Sequence, residues 1–141
     1  MLTFAQIKID RSNKEWSTKV DSALSKIRDI DSVYYSRLIS VCDNIQYINK
    51  KFSSCSGFRH PKGTIKISKI DLNNGDVDNI CAAIIHESLH LKIRSSGLKM
   101  KKAEEEFLCY SYELDFIKKI PYVDQRLIDN ARNQMLLLSS E

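Results

Sequence analysis

Apolar residues recur along this chain with two periods, and the switches between them mark out its elements. The opening "LTFAQIKI" alternates apolar and polar positions, as a strand does. Trp16, Val20, Leu24 and Ile27 then fall at helical spacing, and Ser12 is placed to cap that helix. Asp31 offers a cap for a second helix with Tyr34, Leu38, Val41 or Cys42, and Ile45 on one face. Whether "NIQYINKKF" finishes this helix or runs extended is left open by the pattern. "SSCSGFRHPKG" reads as a loop from its Ser, Gly and Pro content. "TIKISKI" puts Ile65 and Ile67 on one face and Thr64, Lys66 and Ser68 on the other, which predicts a short strand. "DLNNGDVD" then turns into a helix from about Asp76 to Arg94, closed by "SSG", with Gly97 suited to a left-handed cap. The pattern predicts a further helix from about Met100 to Ile120, stopped by Pro121. "YVDQRLIDNARNQMLLL" gives a last helix, whose "QMLLL" is expected to pack onto the body. The elements sum to an α+β fold in one domain spanning residues 1–141, with a small antiparallel sheet packed on helices.

Composition narrows the classes. The 141 residues are 43% hydrophobic, enough for one core, and Gly (4) and Pro (2) are too few for a low-complexity chain. The net charge of +4 is modest, and "KMKK" at 99–102 is answered by "EEE" at 104–106. A nucleic-acid partner needs a more concentrated basic patch, so none is expected. No run approaches 18 apolar residues, which excludes a helical membrane span. The N-terminus lacks the charged start and apolar run of a Sec-type signal, so the expected compartment is the cytoplasm. Cys42, Cys55, Cys81 and Cys109 form no CxxC pair. Cys81 and Cys109 lie in apolar helical contexts and read as reduced core thiols.

One stretch asks for more than packing. In "IIHESLHLKI", residues 84–93, His86 and His90 stand four apart. On a helix they share a face and can aim two ring nitrogens at one ion. Glu87 is turned by roughly 100° and is better placed to reach a water held by that ion than to bind the ion itself. With three His and seven Glu in the chain, this HExxH spacing is expected by chance only about 0.003 times. The surrounding "DNICAAIIHESLHL" is apolar nearly all round, so two imidazoles and a carboxylate there need partners, and a metal supplies all three.

A hydrolytic zinc site takes a third protein ligand and leaves the fourth position for water. The remaining histidine, His60, lies upstream in the loop, while Glu104, Glu105, Glu106 and Glu113 follow on the next helix. An apolar stripe of Ala103, Phe107, Tyr110, Leu114 and Ile117 puts Glu104 with Ser111 and Asp115, and Glu105 with Tyr112 and Lys119. Glu106 borders the stripe on the side of Cys109, Phe116 and Ile120 and is best placed to look inward, with Glu113 two turns on as the reserve.

At these residues the chain resembles the gluzincin branch of the zincin metallopeptidases, whose signature is HExxH plus a downstream Glu. The likeness covers residues 63–120. "EFLCYSYELDF" is similar to the Glu-x-x-small pattern of small bacterial HExxH proteins, and "TIKIS" to the sheet edge on which such peptidases lay substrate. The resemblance implies Zn²⁺ held by His86, His90 and Glu106, Glu87 as general base, and a peptide or protein substrate. No Asp or Asn backing the histidines is identifiable from spacing. Tyr110, Tyr112 and His60 are the candidates for stabilising the oxyanion. The competing expectations are a catalytically silent zincin-fold module with a structural zinc and a non-enzymatic interaction protein.

Overall fold

The computed structural model describes residues 7–48, 63–68 and 77–140. The loop "SSCSGFRHPKG", with Cys55 and His60, lies outside the described residues except for its last residue, Gly63, as do the first residues of "LTFAQIKI" and the turn before the HExxH helix. Among the described residues, five helices and a small three-stranded sheet make a mixed α and β architecture.

Strand β1 is short, Lys8–Ile9. Helix α1, Lys14–Ile30, begins one residue later than Ser12 capping would allow. The Ser12 amide donates to Asp10 Oδ1 at 2.9 Å, and Asn13 takes over the cap, its Oδ1 accepting from the Trp16 amide at 3.0 Å. Trp16, Val20, Ala23 and Ile27 are fully buried along one face. Asp31 closes α1 and opens α2, Ser32–Val41. Its amide donates to the Ile27 carbonyl, and its carboxylate accepts from the Val33 and Tyr34 amides. One residue thus turns the chain between two helices. "NIQYI" runs extended as β2, Asn44–Ile48, and β3 is Thr64–Ser68, as the alternation predicts.

The sheet order is β1-β2-β3, and both pairings are parallel, Lys8 with Asn44 and Asn44 with Thr64 through Ile48 with Ser68. The expected antiparallel sheet is therefore wrong. Antiparallel neighbours can be joined by a tight turn, whereas parallel ones need a crossover, and α1 and α2 supply one between β1 and β2. Burial agrees, because strands of parallel sheets are covered on both faces. Ile65 and Ile67 are buried, but so are Thr64 and Ser68, which the alternation assigned to an outer face.

Helix α3, Val77–Ser95, carries the HExxH residues and is buried on most faces, including Ile80, Ile84, Ile85 and Leu91. It packs against β3, α1, α2 and α4. Gly97, at φ +74°, ends it as anticipated, its amide donating to the Arg94 carbonyl at 3.2 Å. Helix α4, Lys102–Ile117, returns antiparallel to α3 after a short connection: its start meets His90 and its later turns meet His86. It stops three residues before the expected Ile120, as Lys119 and Ile120 donate to carbonyls three residues back and tighten the last turn. Its buried residues are Cys109, Glu113, Leu114, Phe116 and Ile117. Of the expected stripe, Leu114 and Ile117 are buried and Tyr110 packs on the core, while Ala103 and Phe107 are only half-buried, so the buried arc is shifted toward Cys109, Glu113 and Phe116. Helix α5, Gln125–Ser139, is capped by Asp124 and buries Ile128 and Ala131. Of "QMLLL", Met135 packs on the core while Leu136 and Leu137 are exposed, so that stretch covers the body only in part. No helix among the described residues is long and apolar enough to cross a membrane.

Candidate metal centre

The i, i+4 spacing on α3 places His86 and His90 side by side with ring centroids 5.1 Å apart, both facing α4 and both buried. Each of their four ring nitrogens meets a carboxylate. His86 Nδ1 lies 2.9 Å from Glu113 Oε1, and His90 Nδ1 contacts Glu105 Oε2. The two Nε2 atoms converge on a single oxygen, Glu106 Oε1, at 3.3 Å from His86 and in direct contact with His90. A neutral imidazole has one N–H and cannot donate from both nitrogens. The arrangement fits either imidazolium rings or a cation taken up between the Nε2 atoms and Glu106.

Electrostatics point the same way. Burial disfavours the charged His86 ring, yet the carboxylates of Glu106 and Glu113 outweigh it and raise its pKa to about 10. His90 is raised by Glu106 and Glu105 against the same burial. Burial pushes Glu106 up, but the two histidines pull it well below the ordinary carboxylate range. At Glu113 burial prevails over His86 and the carboxyl is raised. Three carboxylates, Glu105, Glu106 and Glu113, thus face the two imidazoles, and Arg94 lies 3.8 Å from Glu105.

The donor set suits a metal. A ring nitrogen of each histidine, a Glu106 oxygen and the Cys109 sulfur all lie within 4.8 Å of one another. Nitrogen, carboxylate oxygen and thiolate sulfur are the ligands that zinc takes. Glu106 faces inward where the spacing put it. Glu104 is exposed. Glu105 does not turn toward Tyr112 as expected but meets His90 from the first turn of α4. Glu113 sits on the outer nitrogen of His86, behind the ring and away from the converging Nε2 atoms. The carboxylates that back the histidines, which spacing did not reveal, are thus Glu105 and Glu113. The signal for Glu113 was its place seven residues after Glu106, two helical turns along the same face. Cys109 also belongs to the cluster, although its apolar context suggested core alone.

Glu87 is half-buried on α3 and close enough for its charge to raise His86, His90, Cys109, Tyr110 and Glu113. Tyr110 packs its ring edgewise on His86, with centroids 4.4 Å apart. Burial, then Glu106 and Glu113, push its phenol up to about 12, so it stays a neutral donor. Tyr112 instead packs on Tyr34 and lines a cavity of about 270 Å³ with Arg37, Ser40, Ser88, Leu89 and Lys92. Ser88 and Lys92 lie on the far side of α3 from the imidazoles, so Tyr112 belongs to another surface. His60 lies outside the described residues. In comparisons with known proteins, no family model matches the chain, and no curated protein or solved structure matches it.

Proposed function

We propose that the chain is a zinc-dependent peptidase of gluzincin-like chemistry, acting on peptide bonds, with the cytoplasm as its compartment. His86, His90 and Glu106 hold the metal. The observation that carries the reading is the convergence of both Nε2 atoms on Glu106 while Glu113 and Glu105 occupy the Nδ1 positions. A carboxylate behind each histidine fixes its tautomer and raises its basicity, which is the usual outer support of a metal-ligating imidazole.

When bound, zinc lowers the pKa of a water toward about 7 and polarises the substrate carbonyl. Glu87, one position past His86, is the base: its carboxylate takes the proton from the attacking water and returns it to the leaving amine. Tyr110, whose ring packs on His86, is the candidate for stabilising the oxyanion. The second reading is a silent zincin-like module with a structural metal. Cys109 favours it, because a fourth protein donor is the mark of a closed site.

Elemental analysis of protein purified without chelator tests the proposal. One zinc per chain in the parent and none in His86→Ala is the expected result. Parent protein that neither carries nor takes up zinc would defeat both readings. A peptide-library screen then separates enzyme from module.

A further inference from the structure

Three of the four cysteines fall among the described residues, and their surroundings differ. Cys42 donates to the Asn44 carbonyl and Cys81 to the Ala23 carbonyl, each at 3.5 Å, as buried core thiols do. Cys109 is fully buried on α4, one turn after Glu106, and has no hydrogen bond to a carbonyl among the described residues. Its sulfur instead joins the group formed with His86, His90 and Glu106, within 4.8 Å of each donor. With Zn–N of 2.0–2.1 Å and Zn–S of about 2.3 Å, a tetrahedral ion sets its donors roughly 3.3–3.8 Å apart. The widest of these separations therefore has to close by about an ångström, whereas His90 Nε2 and Glu106 Oε1, in direct contact, have to part.

We propose that Cys109 is the fourth protein ligand of this centre and closes it as a His₂GluCys site. The inference rests on His86, His90 and Glu106 holding the metal. On metal uptake the S–H bond breaks, a sulfur–metal bond forms and the proton leaves to solvent, with no change of oxidation state. A four-ligand site of this kind favours the structural-metal reading, and the peptidase reading would need the ion to take a fifth ligand to admit water. The thiolate also biases the site toward zinc over the harder ions that three-ligand oxygen-rich sites accept.

Cobalt substitution tests this without a substrate. The full chain is loaded with Co²⁺ and its absorption recorded. The parent is expected to bind one cobalt per chain and to show an intense near-ultraviolet thiolate-to-cobalt charge-transfer band. Cys109→Ala should still bind cobalt but lose that band. Cys109→Ser, nearly isosteric, repeats the comparison should the alanine variant fail to fold. One cobalt per chain with no thiolate band in the parent would overturn the proposal while leaving the His86, His90, Glu106 site standing. A band that persists in both variants would assign it to another thiol and overturn the proposal equally. No cobalt binding by the parent would remove the metal centre and this inference with it.

Discussion

Glu113 Oε1 lies 2.9 Å from His86 Nδ1, and both side chains are buried. With a metal bound, that contact would hold the proton on Nδ1 and leave the Nε2 lone pair for the ion, the tautomer a metal ligand requires. Removing the carboxylate frees the ring to turn. Glu113→Ala should therefore weaken zinc binding about 10–100-fold, read by competition against a chromogenic chelator. Zinc held as tightly as in the parent would show that Glu113 does not orient His86.

Glu87 has the opposite expectation. Glu87→Gln keeps the shape of the side chain and touches none of the proposed ligands, so zinc content should stay at one per chain. Turnover of a peptide found by library screening should fall about 10²–10⁴-fold, the usual contribution of a general base. If this variant loses zinc, Glu87 supports the metal and is not the base.

How far the sequence carried the reading depends on which residues are asked. HExxH spacing is a property of one helix, so His86 and His90 needed no tertiary information. Glu106 followed from helical angles. The contact of Glu105 with His90 did not, and Glu113, placed on the inward side as the reserve ligand, was not seen to back His86, because both partners are on α3. The expected inner stripe of α4 was right at Leu114 and Ile117 and too generous at Ala103 and Phe107, which are only half-buried. The caps show the limit at its smallest. Asp31 was legible, but Ser12 was displaced by Asn13, a residue with equal capping ability one position on. The strand Thr64–Ser68 was readable and its direction was not, since alternation sets which side chains share a face and says nothing of the neighbouring strand's course.

Gly63 marks where β3 meets β2. Its φ is +75°, and its carbonyl accepts from the Asp43 and Asn44 amides at 2.7 and 3.1 Å. A Cβ added there would collide with the Asp43 carboxylate. Gly63→Ala is thus expected to destabilise by more than about 1 kcal/mol, combining left-handed strain with the clash. Urea denaturation measures it. An unchanged midpoint would mean that the start of β3 shifts at no cost, and the parallel register with β2 would then not be fixed at this point.

Asp31 supplies a pH dependence independent of the metal. The Lys119 ammonium, 2.6 Å from Oδ2, holds its carboxyl below the ordinary value; burial opposes this, and the Tyr34 and Val33 amides add to the lowering. A carboxyl whose pKa is lower folded than unfolded adds stability that is complete above its unfolded value, about 3.9. That stability is lost as pH falls through the folded value. Asp31→Asn keeps an oxygen to cap α2 but removes the charge. The variant should therefore be less stable than the parent near neutral pH, and the gap should close on acidification below pH about 4. Because the Lys119 side chain is 43% exposed, added salt should shrink the gap at neutral pH as well. Urea midpoints of both proteins across this range are the measurement. A gap independent of pH would assign the stabilisation to the cap geometry alone and remove the ion pair from the account.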